Sequence, residues 1–266
     1  MKLAVIGGGV MGEAIISAVL TKGVAQAAEV AACDVVGRRR QHLQRTYSVR
    51  VSDKSTVAVE GADIVVLAVK PQEFPSVAQR IGGRIDADQT VLSIMAGVSI
   101  SSLRDRLRHV AIVRAMPNTP AQIGEGLVVW TATDAVGRKG RDDVGRVLSA
   151  LGQEIYVDDE KYIDMATAVS ASGPAFIFLV MEALIDAAVH IGIRRELATP
   201  MVIQTMLGSA RYAQATGKHP ADLRNMVTSP GGTTAEGLLA LEEAGVRAAF
   251  AEAVMAAYDK AKRLGG

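Results

Sequence analysis

The sequence predicts an α/β protein in which an N-terminal Rossmann-like, doubly wound sheet precedes a C-terminal all-helical domain. Three observations predict it. Short apolar runs alternate with helical stretches through the first part of the chain, the pattern of strands joined by crossover helices. The first of these runs, Leu3 to Ile6, leads straight into glycines at G-x-G-x-x-G spacing. From about Asp158 onward the strand signals stop and long alanine-rich helical stretches take over. The division therefore falls into residues 1–157 and 158–266, and 266 residues are ample for two ordinary domains.

In order, Leu3 to Ile6 reads as a buried parallel strand, and the cradle for a dinucleotide is Ile6, Gly7, Gly8, Gly9, Val10, Met11 and Gly12. Gly7 permits the tight turn, Gly9 lets backbone approach a pyrophosphate, and Gly12 lets the new helix pack on its strand. The helix from Glu13 onward aims its free N–H groups and the positive end of its dipole at the same anion. Five further strands are predicted: Val30 to Cys33, Ile64 to Val69, Val91 to Ile94, Val110 to Arg114 and Leu127 to Trp130. Ligands of such sheets bind beyond the carboxyl ends of the strands, so the residues there are the candidates.

Asp34 follows the second strand, 22 residues past Gly12, close to the spacing of an acid that holds a ribose 2′-hydroxyl. Arg38 and Arg39, with Arg40 beside them, pull the other way, because guanidinium groups suit a 2′-phosphate. NADPH is thus the preferred cofactor and NADH remains possible. Ala68, Val69, Lys70 and Pro71 close the third strand, with Lys70 at its mouth. Ser93 to Gly97 supplies small residues against which a ring could lie, and Arg114 to Pro120 a stiff polar loop.

The helical part comprises Phe176 to Ile191, Leu197 to Thr216 and Thr234 to Leu264. Met206, Leu207 and Met255 read as core or interhelical packing. The uncharged stretch Met165 to Met181 reads as a buried helix, not a membrane span, since it holds serines and a Gly-Pro pair between Asp164 and Glu182. Ser229-Pro-Gly-Gly-Thr-Thr-Ala-Glu236 reads as a helix start, Thr233 capping and Glu236 closing the box. Its amides offer a seat for a small carboxylate, which leaves the Thr234 hydroxyl for the rest of a substrate.

Composition excludes several classes. A net charge of +1 gives no electrostatic reason to expect nucleic acid or an anionic membrane. The single cysteine, Cys33, allows no internal disulfide and reads as a buried strand residue. Met1 leads almost directly into the first strand, so cytoplasm is the expected location. His42, His109, His190 and His219 are scattered without metal-ligand spacing, and no metal is assigned.

Gly7 to Gly12, Ala68-Val-Lys-Pro71, Met116-Pro-Asn-Thr-Pro120, Ser172-Gly-Pro-Ala-Phe176 and above all Thr228-Ser-Pro-Gly-Gly-Thr-Thr234 carry a resemblance across essentially the whole chain. The chain resembles the pyrroline-5-carboxylate reductases, which complete proline synthesis. The resemblance implies hydride transfer from NADPH to a five-membered cyclic imine bearing a carboxylate. It implies that Ala68 to Pro71 contact NADP, that Met95, Ala96 and Gly97 line the nicotinamide side, and that Glu160 lies near the imino acid. It further implies that Gly232, Thr233 and Thr234 hold the substrate with Ser229 close by, Thr234 being the candidate catalytic residue. The chain departs from many relatives at Asn225-Met226, where they carry Asp-Asn. The expected assembly is a homodimer through the C-terminal helices, its subunits building the site between them, with a higher homo-oligomer such as a decamer compatible. The alternatives are a β-hydroxyacid dehydrogenase-like enzyme, for which Lys161 and Lys218 are poorly placed, and a non-catalytic NADPH-binding sensor.

Overall fold

The computed structural model describes residues 1–265. The chain forms two compact units, one of Met1–Pro174 together with the chain from Ala256 onward, the other Ala175–Met255.

The first unit is built on eight strands: β1 (Leu3–Ile6), β2 (Val30–Cys33), β3 (Arg50–Ser52), β4 (Ile64–Leu67), β5 (Thr90–Ser93), β6 (Ile112–Met116), β7 (Gly126–Ala132) and β8 (Gly152–Tyr156). They pair in the order β3-β2-β1-β4-β5-β6-β7-β8. All neighbours are parallel except β6 and β7, so the sheet is not uniformly parallel as the alternation suggested. β1, β2, β4 and β5 are buried at every position, because helices cover both faces and a continuous apolar run is what such a strand needs. Alternate residues feed two cores: Leu3 and Val5 join one, Ala4 and Ile6 the other.

Three strands differ from expectation. The strand predicted to run to Val69 ends at Leu67, since the next carbonyl turns against Gly7. The run predicted at Val110 to Arg114 pairs instead as Ile112–Met116. The edge strands β3 and β8 escape prediction, one being three residues long and the other largely exposed.

The helices of this unit are α1 (Val10–Thr21), α2 (Gly37–Tyr47), α3 (Ser55–Val59), α4 (Phe74–Ile81), α5 (Ile100–Leu107), α6 (Arg138–Ser149) and α7 (Lys161–Ala166). Helical composition begins near Asp158, yet the compact unit continues to Pro174, because Ile163 of α7 packs with Met116 and Val129 of the sheet. A π-helical turn, Thr167–Ala171, follows α7.

A buried polar knot ties strand to loop at the amino ends. The Gln89 amide donates to the carbonyls of Val59 and Ala62 at 2.8 and 2.6 Å, and its oxygen accepts from the Asp86 N–H at 2.8 Å. Gln89→Leu conserves the volume but strands three backbone groups. It is expected to cost about 2 kcal/mol in a urea titration at fixed protein concentration, and an unchanged midpoint would show the knot to be dispensable.

The remaining helices are α8 (Gly173–His190), α9 (Arg195–Thr216), α10 (Pro220–Met226), α11 (Thr233–Glu243) and α12 (Val246–Gly265). The single helix expected from Thr234 to Leu264 is broken at Ala244-Gly245, where Gly245 takes a φ of 70°. The expected burial of this part is not met within one chain. Phe178 and Leu179 of α8 and Met255 of α12 are more than half exposed, Leu207 of α9 is exposed, and no residue of α8 is fully buried. Lys161–His190 is long and apolar enough to cross a membrane by length and composition.

Candidate active site

The glycine turn is shaped by contacts that forbid a side chain on one side and permit a ligand on the other. Gly7 has a φ of 105°, and a Cβ there would lie 2.5 Å from the Ala68 carbonyl oxygen. A Cβ on Gly12 would lie 1.9 Å from the Gly7 carbonyl oxygen. Gly9, in contrast, faces open space and begins α1 without a side-chain cap, so the first helical amides stay available. This closed inner side and open outer side fit a pyrophosphate.

A cleft of about 540 Å³ opens beside the turn at the reversal of strand order between β1 and β4. Of the predicted cofactor residues it brings together Ile6, Gly7, Gly9, Asp34, Ala68, Val69 and Lys70. Gly8 lies just behind, donating its N–H to Asp34 Oδ2 at 2.8 Å. Val10 is exposed, Met11 is half-buried and Gly12 is buried at the start of α1, while Pro71 opens the turn after Lys70. Sequence reasoning missed Ser55, Ser76 and Arg80, which α3 and α4 bring to the cleft wall. Ser76 and Arg80 are four apart on α4 and hence share a face, the one signal that could have found them.

Asp34 is the organising carboxylate, since its Oδ1 also accepts from the Val36 N–H at 2.8 Å. The arginines divide their work. Arg39 turns to the Gly8 carbonyl at 2.8 Å and to Glu13 at 2.5 Å, and Arg40 donates to the Asp34 and Val35 carbonyls. Glu13 further meets His42 at 2.7 Å and Tyr47 at 3.1 Å, and these partners hold its carboxyl below the usual range although burial pushes the other way. Arg38 is exposed and makes no hydrogen bond or ion pair among the described residues, which leaves it able to meet a phosphate.

Cys33 lines the same cleft, but burial, reinforced by the charge of Asp34, pushes its thiol up to about 11. The neutral thiol is a poor nucleophile. Native protein is therefore expected to resist iodoacetamide at about pH 8 while unfolded protein reacts, as intact mass would report. Rapid alkylation of the folded protein would contradict this.

At the carboxyl end of β5, Met95 is buried, Ala96 packs against the cluster of Met116, Val129 and Ile163, and Gly97, with a φ of 73°, lies beneath Leu264. Glu160 does not stand free: its Oε1 accepts from Arg114 at 2.7 Å and from the Ile100 N–H at 2.8 Å. The loop after β6 is pinned by Asn118, whose Oδ1 accepts from the Leu127 N–H at 2.9 Å and whose amide reaches Ser170 at 3.4 Å. Lys161 is paired with Asp159 at 2.8 Å.

In the helical unit, Ser229, Gly232, Thr233 and Thr234 form one turn. The expected capping box is absent. Gly232 is the N-cap, no side chain caps the helix, and Thr233 is its first residue. The physical reason is the turn itself. Gly231 takes a φ of 65°, the Gly232 N–H donates to the Ser229 carbonyl at 3.1 Å, and the Gly232 carbonyl then accepts the first helical bonds from Ala235 and Glu236. The amides of Thr233 and Thr234 consequently have no intrahelical acceptor. A Cβ on Gly232 would strike Ser229 Oγ at 2.3 Å, so the hydroxyl folds over the turn.

The helical segment 160–264 matches the family described as pyrroline-5-carboxylate reductase dimerisation, and residues 2–97 match NADP oxidoreductase, coenzyme F420-dependent. The chain is 40% identical over 265 residues to a pyrroline-5-carboxylate reductase of Synechocystis, covering 100% of this chain and 98% of that one. It is 39% identical to a namesake in Methanosarcina acetivorans, covering 99% and 98%. Among solved structures, the pyrroline-5-carboxylate reductase of Coxiella burnetii superposes with a TM-score of 0.91 at 32% identity over 100% of this chain and 98% of that one. The Plasmodium falciparum pyrroline carboxylate reductase with NADP bound gives 0.92 at 30% over the same shares. With identity of this level spread over both units and both ends, the chain belongs to the pyrroline-5-carboxylate reductase family.

Proposed function

We propose that this protein reduces 1-pyrroline-5-carboxylate to L-proline with NADPH, and that NADH serves less well. The observation that carries the reading is full-length likeness to reductases of that name in a chain that keeps both an open glycine turn and the Ser229–Thr234 turn. Gly7 to Gly12 hold the pyrophosphate, Asp34 and Arg38 the adenosine ribose and its phosphate, and Met95 to Gly97 flank the nicotinamide. The reduced nicotinamide supplies the hydride when bound.

The chain's own contribution is position. The amides of Thr233 and Thr234 take the substrate carboxylate, and the Thr234 hydroxyl faces the ring nitrogen, accepting from its N–H in the protonated imine and donating to the lone pair that hydride transfer creates. A protonated cyclic imine is already electrophilic at carbon, so orientation alone can supply roughly 7 to 11 kcal/mol of the barrier and no strong side-chain acid is needed.

The exposed apolar residues of α8, α9 and α12 are the surface that a second copy covers, and the family description of this segment supports that occupant over a bilayer. In this reading the protein works in the cytoplasm as a homodimer, with a decamer as the larger assembly to look for. Sedimentation that finds an active monomer would refute the dimer.

The deciding experiment follows loss of reduced-nicotinamide absorbance with pyrroline-5-carboxylate, in parallel with NADPH and NADH. Oxidation is expected with both and faster with NADPH. No oxidation despite tight NADPH binding would leave the sensor reading. A specificity ratio favouring NADH would make Asp34, not Arg38, the dominant neighbour of the ribose.

A further inference from the structure

We propose that Arg114 is a positioning residue for hydride transfer, one that locks the segment 95–100 onto α7 and so fixes the nicotinamide side of the cleft. The inference rests on the reductase reading, yet no part of the family resemblance assigns Arg114 a role. Arg114 is 2% exposed and occupies β6 between Ile112 and Met116, which point to the same face and belong to two separate apolar clusters. A charged side chain thus fills the gap where apolar packing is interrupted.

Its guanidinium forks. Nη1 donates to Glu160 at 2.7 Å and Nη2 to Asp164 at 2.5 Å, gripping α7 at both ends of its first turn. Glu160 passes the constraint on, because the oxygen that meets Arg114 also accepts from the Ile100 N–H at the start of α5. The segment between is held elsewhere as well: Gly97 lies beneath Leu264, and Ala96 packs against the cluster that Met116 of β6 and Ile163 of α7 share with Val129. One buried cation therefore couples β6, α7 and the loop after β5.

Stability is a weak reason for this arrangement. The Nε of Arg114 has no hydrogen-bond partner among the described residues, and a buried ion pair is often no more stabilising than apolar residues of the same volume. What an apolar replacement cannot do is fix α7 and the Ile100 amide in one register, since dispersion contacts lack direction. A rigid guanidinium fork can.

The test compares Arg114→Lys, Arg114→Met and Asp164→Asn with the native enzyme. It measures melting temperature, affinity for NADPH and for 2′,5′-ADP, kcat, and the kinetic isotope effect with 4-deuterated NADPH. A misplaced nicotinamide side is expected to lower kcat about 100-fold in Arg114→Met and to raise the isotope effect. NADPH affinity is expected to weaken about 10-fold in that variant while 2′,5′-ADP, which lacks the nicotinamide half, binds as before. Arg114→Lys, which can reach only one carboxylate, should recover part of the loss, and Asp164→Asn should reproduce it more mildly in a readily folded protein. A lowered melting temperature with native kcat and isotope effect would overturn the proposal, as would equal weakening of NADPH and 2′,5′-ADP. If native protein binds NADPH but reduces no pyrroline-5-carboxylate, the reductase reading fails alone, and the ratio of the two affinities still decides the role of Arg114.

Discussion

Gly12→Ala is expected to destroy the cofactor site and to destabilise the first unit, whereas Gly9→Ala, three residues away, is expected to spare the fold and weaken NADPH binding alone. The contrast follows from what each methyl group meets. At Gly12 the new carbon lies 1.9 Å from the Gly7 carbonyl oxygen, an overlap with backbone that no rotamer change relieves. Gly7 cannot retreat, since its own inner side abuts the Ala68 carbonyl. Alanine gains up to about 1 kcal/mol over glycine in helix propensity, but overpacking of this kind costs about 3 kcal/mol or more, so the clash wins. At Gly9 no atom of the described residues lies within 4 Å of the added carbon and φ is −69°, which alanine adopts freely. The methyl group there enters only the space in which the pyrophosphate would lie. Thermal melting and NADPH titration of the two variants separate the cases. A Gly12→Ala protein that binds NADPH normally would mean that α1 can move off its strand, and the turn would lose its assigned role.

The first unit was legible because buried parallel strands announce themselves as uninterrupted apolar runs, and the glycine turn stands where one of them ends. Leu3–Ile6 and Val30–Cys33 pair over the predicted residues. β8, with Gln153 and Glu154 among exposed neighbours, has no such signature, because an edge strand owes its place to the partner it meets. The same limit hid Arg114. Its residue type signals exposure, and only tertiary structure reveals two carboxylates from α7 arriving at its fork. At Ser229–Thr234 the sequence located the helix start within one residue but misjudged its cap, since two consecutive glycines let backbone close the turn that a threonine side chain was expected to close. In the helical unit, apolar spacing marked faces that call for cover without saying what covers them. Burial within the chain and burial against a second copy leave the same pattern.

Thr234→Val is expected to lower kcat about 100-fold while leaving NADPH affinity within about twofold of native, the scale on which one transition-state hydrogen-bond donor acts. Thr234 is the second residue of α11, half-buried, and its hydroxyl has no hydrogen-bond partner among the described residues. Valine matches its volume and β-branching, so the turn, closed by Gly231 and Gly232, should keep its shape and its two open amides. Those amides hold the carboxylate in the proposed reading, and the Michaelis constant for pyrroline-5-carboxylate should therefore change less than turnover. As the hydride arrives, the ring nitrogen changes from an iminium to an amine and its new lone pair gains most from a donor, so the loss should fall on the transition state. Thr234→Ser restores the hydroxyl without the methyl group and should recover most of the rate. Equal losses of kcat and NADPH affinity in Thr234→Val would remove the threonine from the chemistry, and a valine variant as slow as its serine counterpart would assign the effect to packing.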